Sequence, residues 1–396
     1  MAHDNIYLAS KPRYEILDGL RGVASILVMF FHFSMAYNFS RTETPLGHIS
    51  MAVDFFFLLS GYVIGYAYDD RWGSMGVWGF CKRRLVRLHP MIVMGTLVGT
   101  VLFYFTGSFE PGDHSSHLVD QTSVGMLLLI TLLGMLLIPT PKSLDIRGWA
   151  ETNNLNPAHW SLFFEYIANI LYALFIRRFS KKALAVLVLA AAFLTLDKTL
   201  HLDVFGMYAD MGGGRNSIGG GFYLTGQHLF IGFVRLLYPF FCGLLLSRLG
   251  ARIPVRGGFW WCTLMLTALL LMPFIPGGEI GTPGCLDGIY YAVSILVLFP
   301  LLVCMGAGSR VTGRSSRVCR FLGDISYPLY VTHNPIAFLQ RKWVVEHPDA
   351  PLSQHVFIFV ILCLTAIALA WAMLRLYDEP VRKWLREKLW KKAAAR

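Results

Sequence analysis

The sequence is short of charge, and the charge it has is unevenly signed. Only 15% of its 396 residues are Asp, Glu, Lys or Arg, against about 25% in an ordinary soluble domain. Acidic residues number 24 against 35 Lys and Arg. With 55% hydrophobic residues, the chain has too few polar side chains to cover a soluble surface of its size. Cysteine is also scarce: the seven present form no CxxC pair and fall mostly in apolar runs, which points away from a disulfide framework and from a metal site. The opening "MAHDNIYLASKPRYE" lacks the apolar core and small-residue cleavage site of a signal peptide, so the first apolar stretch is expected to remain as a helix. Heptads, low-complexity tracts and internal repeats are missing too.

What the chain does have is long apolar runs separated by short polar segments, the pattern of an all-α integral membrane protein. Ten spans are expected, at 16–38, 49–68, 88–107, 160–177, 183–200, 226–247, 259–275, 287–305, 321–340 and 354–376. A cytoplasmic N-terminus would place most Lys and Arg on the inside, so both termini are expected there. The apolar segment 123–138 is borderline in length. A crossing there would turn "RRFSKK", "RLGARIPVR" and "RVTGRSSRVCR" outward, so it is expected to be a re-entrant or outer-leaflet piece of an outer region covering 108–159. The whole of 1–396 reads as one membrane unit with no appended soluble domain, set in a cell membrane and most simply a bacterial inner membrane. The net charge of +11 lies in loops on one side, which makes the lipid bilayer the expected partner and nucleic acid not one. The Gly-rich stretch "MGGGRNSIGGG" lacks the strand-then-helix context of a phosphate loop and reads as a flexible connection.

Ionisable groups inside a membrane are expensive, so those within the spans are the functional candidates. Arg21 and His32 lie eleven residues apart on the first span, within ~20° of each other around the helix and ~16 Å apart along it. Two plainer readings exist: Arg21 as an interfacial anchor beside Asp18, and His32 as a buried histidine bonding a neighbouring helix. Asp54, on the second span, matches the depth of His32 and would fix its tautomer, unless it pairs instead with the lone intramembrane Arg235. Arg83, Arg84 and Arg87 in "FCKRRLVRLHP" form a guanidinium cluster suited to phosphates, though anionic headgroups would attract it equally. In "NPAHWSLFFEY", Trp160 and Ser161 sit at an interface and Glu165 lies inside an apolar run. His333, in "GDISYPLYVTHNPI", falls near mid-bilayer.

These residues together resemble the acyltransferase 3 family of integral membrane O-acyltransferases, which modify surface polysaccharides and some secondary metabolites. The resemblance rests on the Arg21–His32 spacing and on "DFFFLLSGYV", "RRLVRLHP", "WSLFFE" and "LGDISYPLYVTHNP" in that order, over nearly the whole chain. It implies that Arg21 and His32 are the functional pair of the first span, that Arg83, Arg84 and Arg87 are a cytoplasmic arginine cluster, and that Trp160, Ser161 and Glu165 form an outer motif. The chain departs from the family pattern at Tyr166 and Ile167 after Glu165, and at Asn334 after His333.

The expected reaction is transfer of an acyl group, most simply acetyl, from cytoplasmic acyl-CoA to a hydroxyl of an exported or lipid-linked glycan, with no bound cofactor. The arginines, with Arg21, would hold the CoA. His32 would act as general base or transient nucleophile, with Asp54 or Glu165 orienting it and Arg235 or Tyr330 stabilising the oxyanion. Trp160, Ser161 and His333 would lie on the acceptor side. Alternatives are O-acylation of a macrolide or other small metabolite and, in a different class, proton-coupled transport.

Overall fold

The computed structural model describes residues 11–37, 46–106, 118–208, 218–277 and 285–390. Among these, every regular element is helical, apart from one isolated antiparallel bridge between Glu151 and Tyr223. In hydrocarbon, backbone N–H and C=O groups must bond within their own segment, and a helix provides this. The principal helices are α1 (Glu15–Ser34), α2 (Ala52–Tyr68), α3 (Val77–Thr106), α4 (Val124–Met135), α5 (His159–Leu174), α6 (Lys181–Thr199), α7 (Gly226–Leu249), α8 (Gly258–Leu270), α9 (Cys285–Gly308), α10 (Gly313–Glu346), α11 (Leu352–Met373) and α12 (Glu379–Trp390).

A helix lies at each of the ten expected spans, but only six described segments are long and apolar enough to cross a membrane by themselves. They contain α1, α2, α3, α7, α9 and the continuous α11–α12. The others fall short for visible reasons. Helix α8 has 13 residues and α5 has 16, while α6 and α10 carry several charges. The 123–138 segment forms α4, whose 12 residues reach about 18 Å, well under a ~30 Å hydrocarbon core.

Two helix pairs form the centre. Helices α1 and α10 run parallel: Glu15 meets Ser316 near one end, and His32 meets His333 near the other. Their backbones touch, because a Cβ on Gly22 would come within 2.4 Å of the Leu322 carbonyl and one on Gly323 within 2.6 Å of Asp18. Helices α2 and α7 do the same through Gly61 and Gly243, each of which faces backbone of the other helix. Helix α11 packs outside α1, with Phe359 against Phe30 and Phe33, and leaves Phe357, Val360 and Leu364 exposed, as a lipid-facing helix should.

The arginine-rich connections gather at one end. Arg248 bonds Asp69 and the Phe179 carbonyl, Arg252 donates to Tyr14, and Arg13 pairs with Asp324. "RRFSKK", "RLGARIPVR" and "RVTGRSSRVCR" therefore share a face, called the basic end below. All seven cysteines are free, and no metal-binding cluster occurs among the described residues.

Candidate active site

Helix α10 carries Pro328 and Pro335 within its length. Pro335 has no N–H to offer the Val331 carbonyl, which instead accepts from Asn156 Nδ2 at 2.6 Å. His333 stands in this opened turn, fully buried. Its Nδ1 lies 2.9 Å from the Leu329 carbonyl, an atom that can only accept, so Nδ1 carries the proton and Nε2 is left as acceptor. That Nε2 is 2.8 Å from His32 Nδ1, which must then be the donor. The proton of His32 is thereby fixed on Nδ1, and its Nε2 presents a lone pair. Among the described residues the structure gives that Nε2 no protein partner.

The hydrogen-bond partner of His32 is thus the imidazole of His333. Asp54, wholly buried, bonds Arg235 through both oxygens at 2.8 and 3.4 Å. Arg235 also donates to the carbonyls of Ser50 and Gly220 and lies under the Trp160 ring at 4.9 Å. Of the two pairings open to Asp54 on sequence, the structure has the one with Arg235, because the close α2–α7 contact turns the carboxylate towards α7. Arg235 is only 3% exposed, and four of its five N–H groups are taken by Asp54, Ser50 and Gly220, which leaves one Nη1–H to offer an oxyanion. Trp160 covers this ion pair. In the Gly-rich stretch, 211–217 lie outside the described residues. Gly220 and Gly221 lie within them, at φ +134° and +103°, a backbone that lets Gly220 reach Arg235 and Gly221 sit against Trp160.

Glu165 is also engaged elsewhere. Its Oε1 accepts from Arg84 at 2.7 Å and Ser60 at 3.0 Å, so it belongs to the arginine cluster rather than to His32. Arg21 donates to Ser326 Oγ at 2.8 Å and the Gly323 carbonyl at 3.1 Å, and pairs with Asp18 at 3.2 Å. Arg87 makes no ion pair among the described residues. The charges that act on it most strongly are two other guanidiniums, Arg21 and Arg84, with Asp18 a weaker counter-charge.

Arg21, Arg83, Arg84 and Arg87 line one cavity of about 1500 Å³ that enters from the basic end. Ten basic and six acidic side chains line it, an excess of four positive charges. It runs inward past Ser60 and Glu165 to Ser25, Phe56, Ser161 and Tyr330. There the Ser161 and Tyr330 hydroxyls lie 2.7 Å apart, and the Tyr330 ring stands 6.1 Å from that of His333. His32 and His333 are not on the cavity wall. Tyr330 lines the cavity and stands next to His333, which brings the Ser161–Tyr330 pair of the arginine-lined space close to the histidines.

At the opposite end, residues between α4 and α5 fold into a compact polar cap. Arg147 is held between the rings of Phe103 and Phe338 and donates to the Asn154 carbonyl. Burial pushes the Glu151 carboxyl up to about 7, outweighing the opposing pull of Arg147.

Sequence reasoning offered His32 as a buried histidine bonding a neighbouring helix but did not name His333 as the partner, although small residues on both helices (Gly19, Gly22, Gly323) signal that α1 and α10 can touch. It also missed Ser60, Ser326 and the cavity-lining residues of α12, which are ordinary polar residues with no motif around them.

An all-helical membrane bundle, with a basic cavity leading towards a buried histidine pair, is the class that fold and site define. Residues 14–375 match the family model described as an acyltransferase domain, and the chain belongs to that acyltransferase 3 family. It is 33% identical over 189 residues to "Protein 2 in picA locus" of Rhizobium radiobacter, covering 46% of this chain and 93% of that protein. It is 27% identical over 171 residues to "Acyltransferase MdmB" of Streptomyces mycarofaciens, covering 42% of this chain but 40% of that protein. No solved structure matches the chain.

Proposed function

We propose that this membrane acyltransferase uses acyl-CoA, with acetyl the simplest acyl group, and transfers it to a hydroxyl of an exported or lipid-linked glycan. In this reading the basic end is cytoplasmic and the chain spans the membrane ten times. The observation that carries it is the cavity linking a guanidinium cluster, Arg87 beside Arg21 and Arg84, with four more basic than acidic side chains on its wall, to the Ser161–Tyr330 pair, whose Tyr330 ring stands 6.1 Å from that of His333.

CoA carries about four negative charges, two on the pyrophosphate and up to two on the 3′-phosphate, and the cavity has an excess of four positive ones. The arginines hold the phosphates while the pantetheine arm extends towards Tyr330. His32 Nε2 removes the acceptor's hydroxyl proton as the oxygen attacks the thioester carbon. A new C–O bond forms, the C–S bond breaks, and the proton on His32 leaves with the thiolate as free CoA. Throughout, His333 holds His32 in the right tautomer and shares the transient positive charge. Tyr330, at the junction, donates its hydroxyl to the developing oxyanion once it turns from Ser161, an effect of about 3 kcal/mol for a well-placed donor.

The test is acyl-CoA binding and thioester turnover by the purified protein. Arg87→Ala should raise the CoA dissociation constant at least tenfold and leave the folded protein intact. Unchanged CoA binding in Arg87→Ala, or substrate flux across vesicles without acyl transfer, contradicts the reading.

A further inference from the structure

The family match ends at residue 375, but the helical chain does not. A wide helical turn at Leu374–Asp378 joins α11 to α12, whose residues line the cavity. Helix α12 is two-faced. Arg382, Lys383 and Arg386 line the cavity at helical spacing, while Trp384 and Leu389 on other faces are exposed. The helix is anchored at both ends. Asp378, nearly buried, pairs with Arg382 at 2.6 Å at its start, and at its end the buried Trp390 takes the Arg83 guanidinium over its ring at 5.3 Å.

A basic helix lying on a membrane would turn its cations outward to the headgroups. Here they line the same space as the arginines of α3. The α12 side of the cavity is mixed, with Glu379 and Glu387 beside Arg382, Lys383 and Arg386. Arg382 is paired with Asp378 and Glu379 with Arg375, and Lys383 and Arg386 share the cavity with the arginines of α3. Arg87 lies near Arg21 and Arg84, whereas Lys383 and Arg386 stand on α12, one turn and two turns beyond Glu379.

We propose that α12 completes the donor site: Lys383 and Arg386 bind the 3′-phosphate of acyl-CoA, while Arg87 with Arg21 and Arg84 binds the pyrophosphate. The assignment rests on the acyl-CoA reading above. It makes α12 the element that separates CoA from donors lacking the 3′-phosphate, such as 3′-dephospho-CoA or a pantetheine thioester.

The test is calorimetric binding of CoA and 3′-dephospho-CoA to the full chain in nanodiscs of zwitterionic lipid. The wild type should bind CoA more tightly than 3′-dephospho-CoA. Lys383→Gln/Arg386→Gln should weaken CoA binding about tenfold or more and leave 3′-dephospho-CoA within twofold, so the preference disappears. Arg386→Lys should keep most of the preference, and unchanged thermal unfolding should show the variants folded. A wild type that binds both ligands equally overturns the proposal. So does a double variant that keeps the preference, or an effect that appears only in anionic lipid, where headgroups would be the ligand. A wild type that binds neither ligand overturns the acyl-CoA reading beneath it.

Discussion

In the proposed mechanism, His32 and His333 would prepare a base inside the membrane without a carboxylate bonded to it. A neutral relay, from the Leu329 carbonyl through His333 to His32, fixes the tautomer and keeps Nε2 open. In that mechanism His333 acts through His32 as a positioning residue, and its loss should move the pH dependence of kcat as well as its size. His333→Ala is expected to lower turnover on the order of 10²-fold, with partial rescue in His333→Gln, whose side-chain oxygen can still accept from His32 Nδ1. Equal loss in both variants with an unmoved pH profile would count against the relay. Asp54 and Arg235 make a contrasting pair, both buried, whose ion pair joins α2 to α7. Asp54→Ala strands a guanidinium and should destabilise the protein by about 3–5 kcal/mol, and Asp54→Leu/Arg235→Met should recover most of this. Thermal unfolding checks the stability, and turnover per folded molecule should stay near that of the wild type. A specific loss of turnover would return Asp54 to the catalytic group.

At the scale of helices, close packing positions the chemistry. Helices α1 and α10 approach backbone to backbone at Gly22, and the His32–His333 bond depends on that approach. Gly22→Ala puts a Cβ within 2.4 Å of the Leu322 carbonyl. It should therefore cost about 1–3 kcal/mol in stability and abolish most activity, although Gly22 is not on the cavity wall. Unfolding temperature and turnover at saturating donor measure the two effects. The sequence made the helices themselves legible, since apolar runs and the clustering of Lys and Arg need no tertiary information. It also showed which side chains are costly to bury. Their partners were not legible: Asp54 had two plausible ones, and which it took depended on the rotation of α2 against α7. The link from Glu165 to Arg84 joins α5 to α3 across 81 residues of sequence, a distance over which spacing carries no signal.

For the molecule as a whole, the two ends differ in character. The basic end is a wide charged opening, and the opposite end is capped by the folded segment between α4 and α5. Glu151 in that cap gives a pH signature. Its carboxyl rises from 4.5 to about 7 in the folded protein, so between those values the folded state holds a proton that the unfolded state releases. Its contribution to stability is therefore greatest below about 4.5, falls as pH rises to about 7, and is flat beyond. Thermal unfolding across this window should show that decline, and Glu151→Gln should flatten it. The same end is expected to be extracytoplasmic, and a topology reporter at Asp145 should signal from outside. A cytoplasmic signal would reverse the orientation on which the donor path depends.

In the proposed mechanism His32 is the reacting base, next to the inner end of the donor cavity. The most direct measurement compares His32→Ala with wild type for both CoA binding and acyl transfer in one purified preparation. Transfer should fall by 10²-fold or more, on the order of a lost general base, while the CoA dissociation constant stays within about twofold. Full transfer by His32→Ala would contradict the central claim.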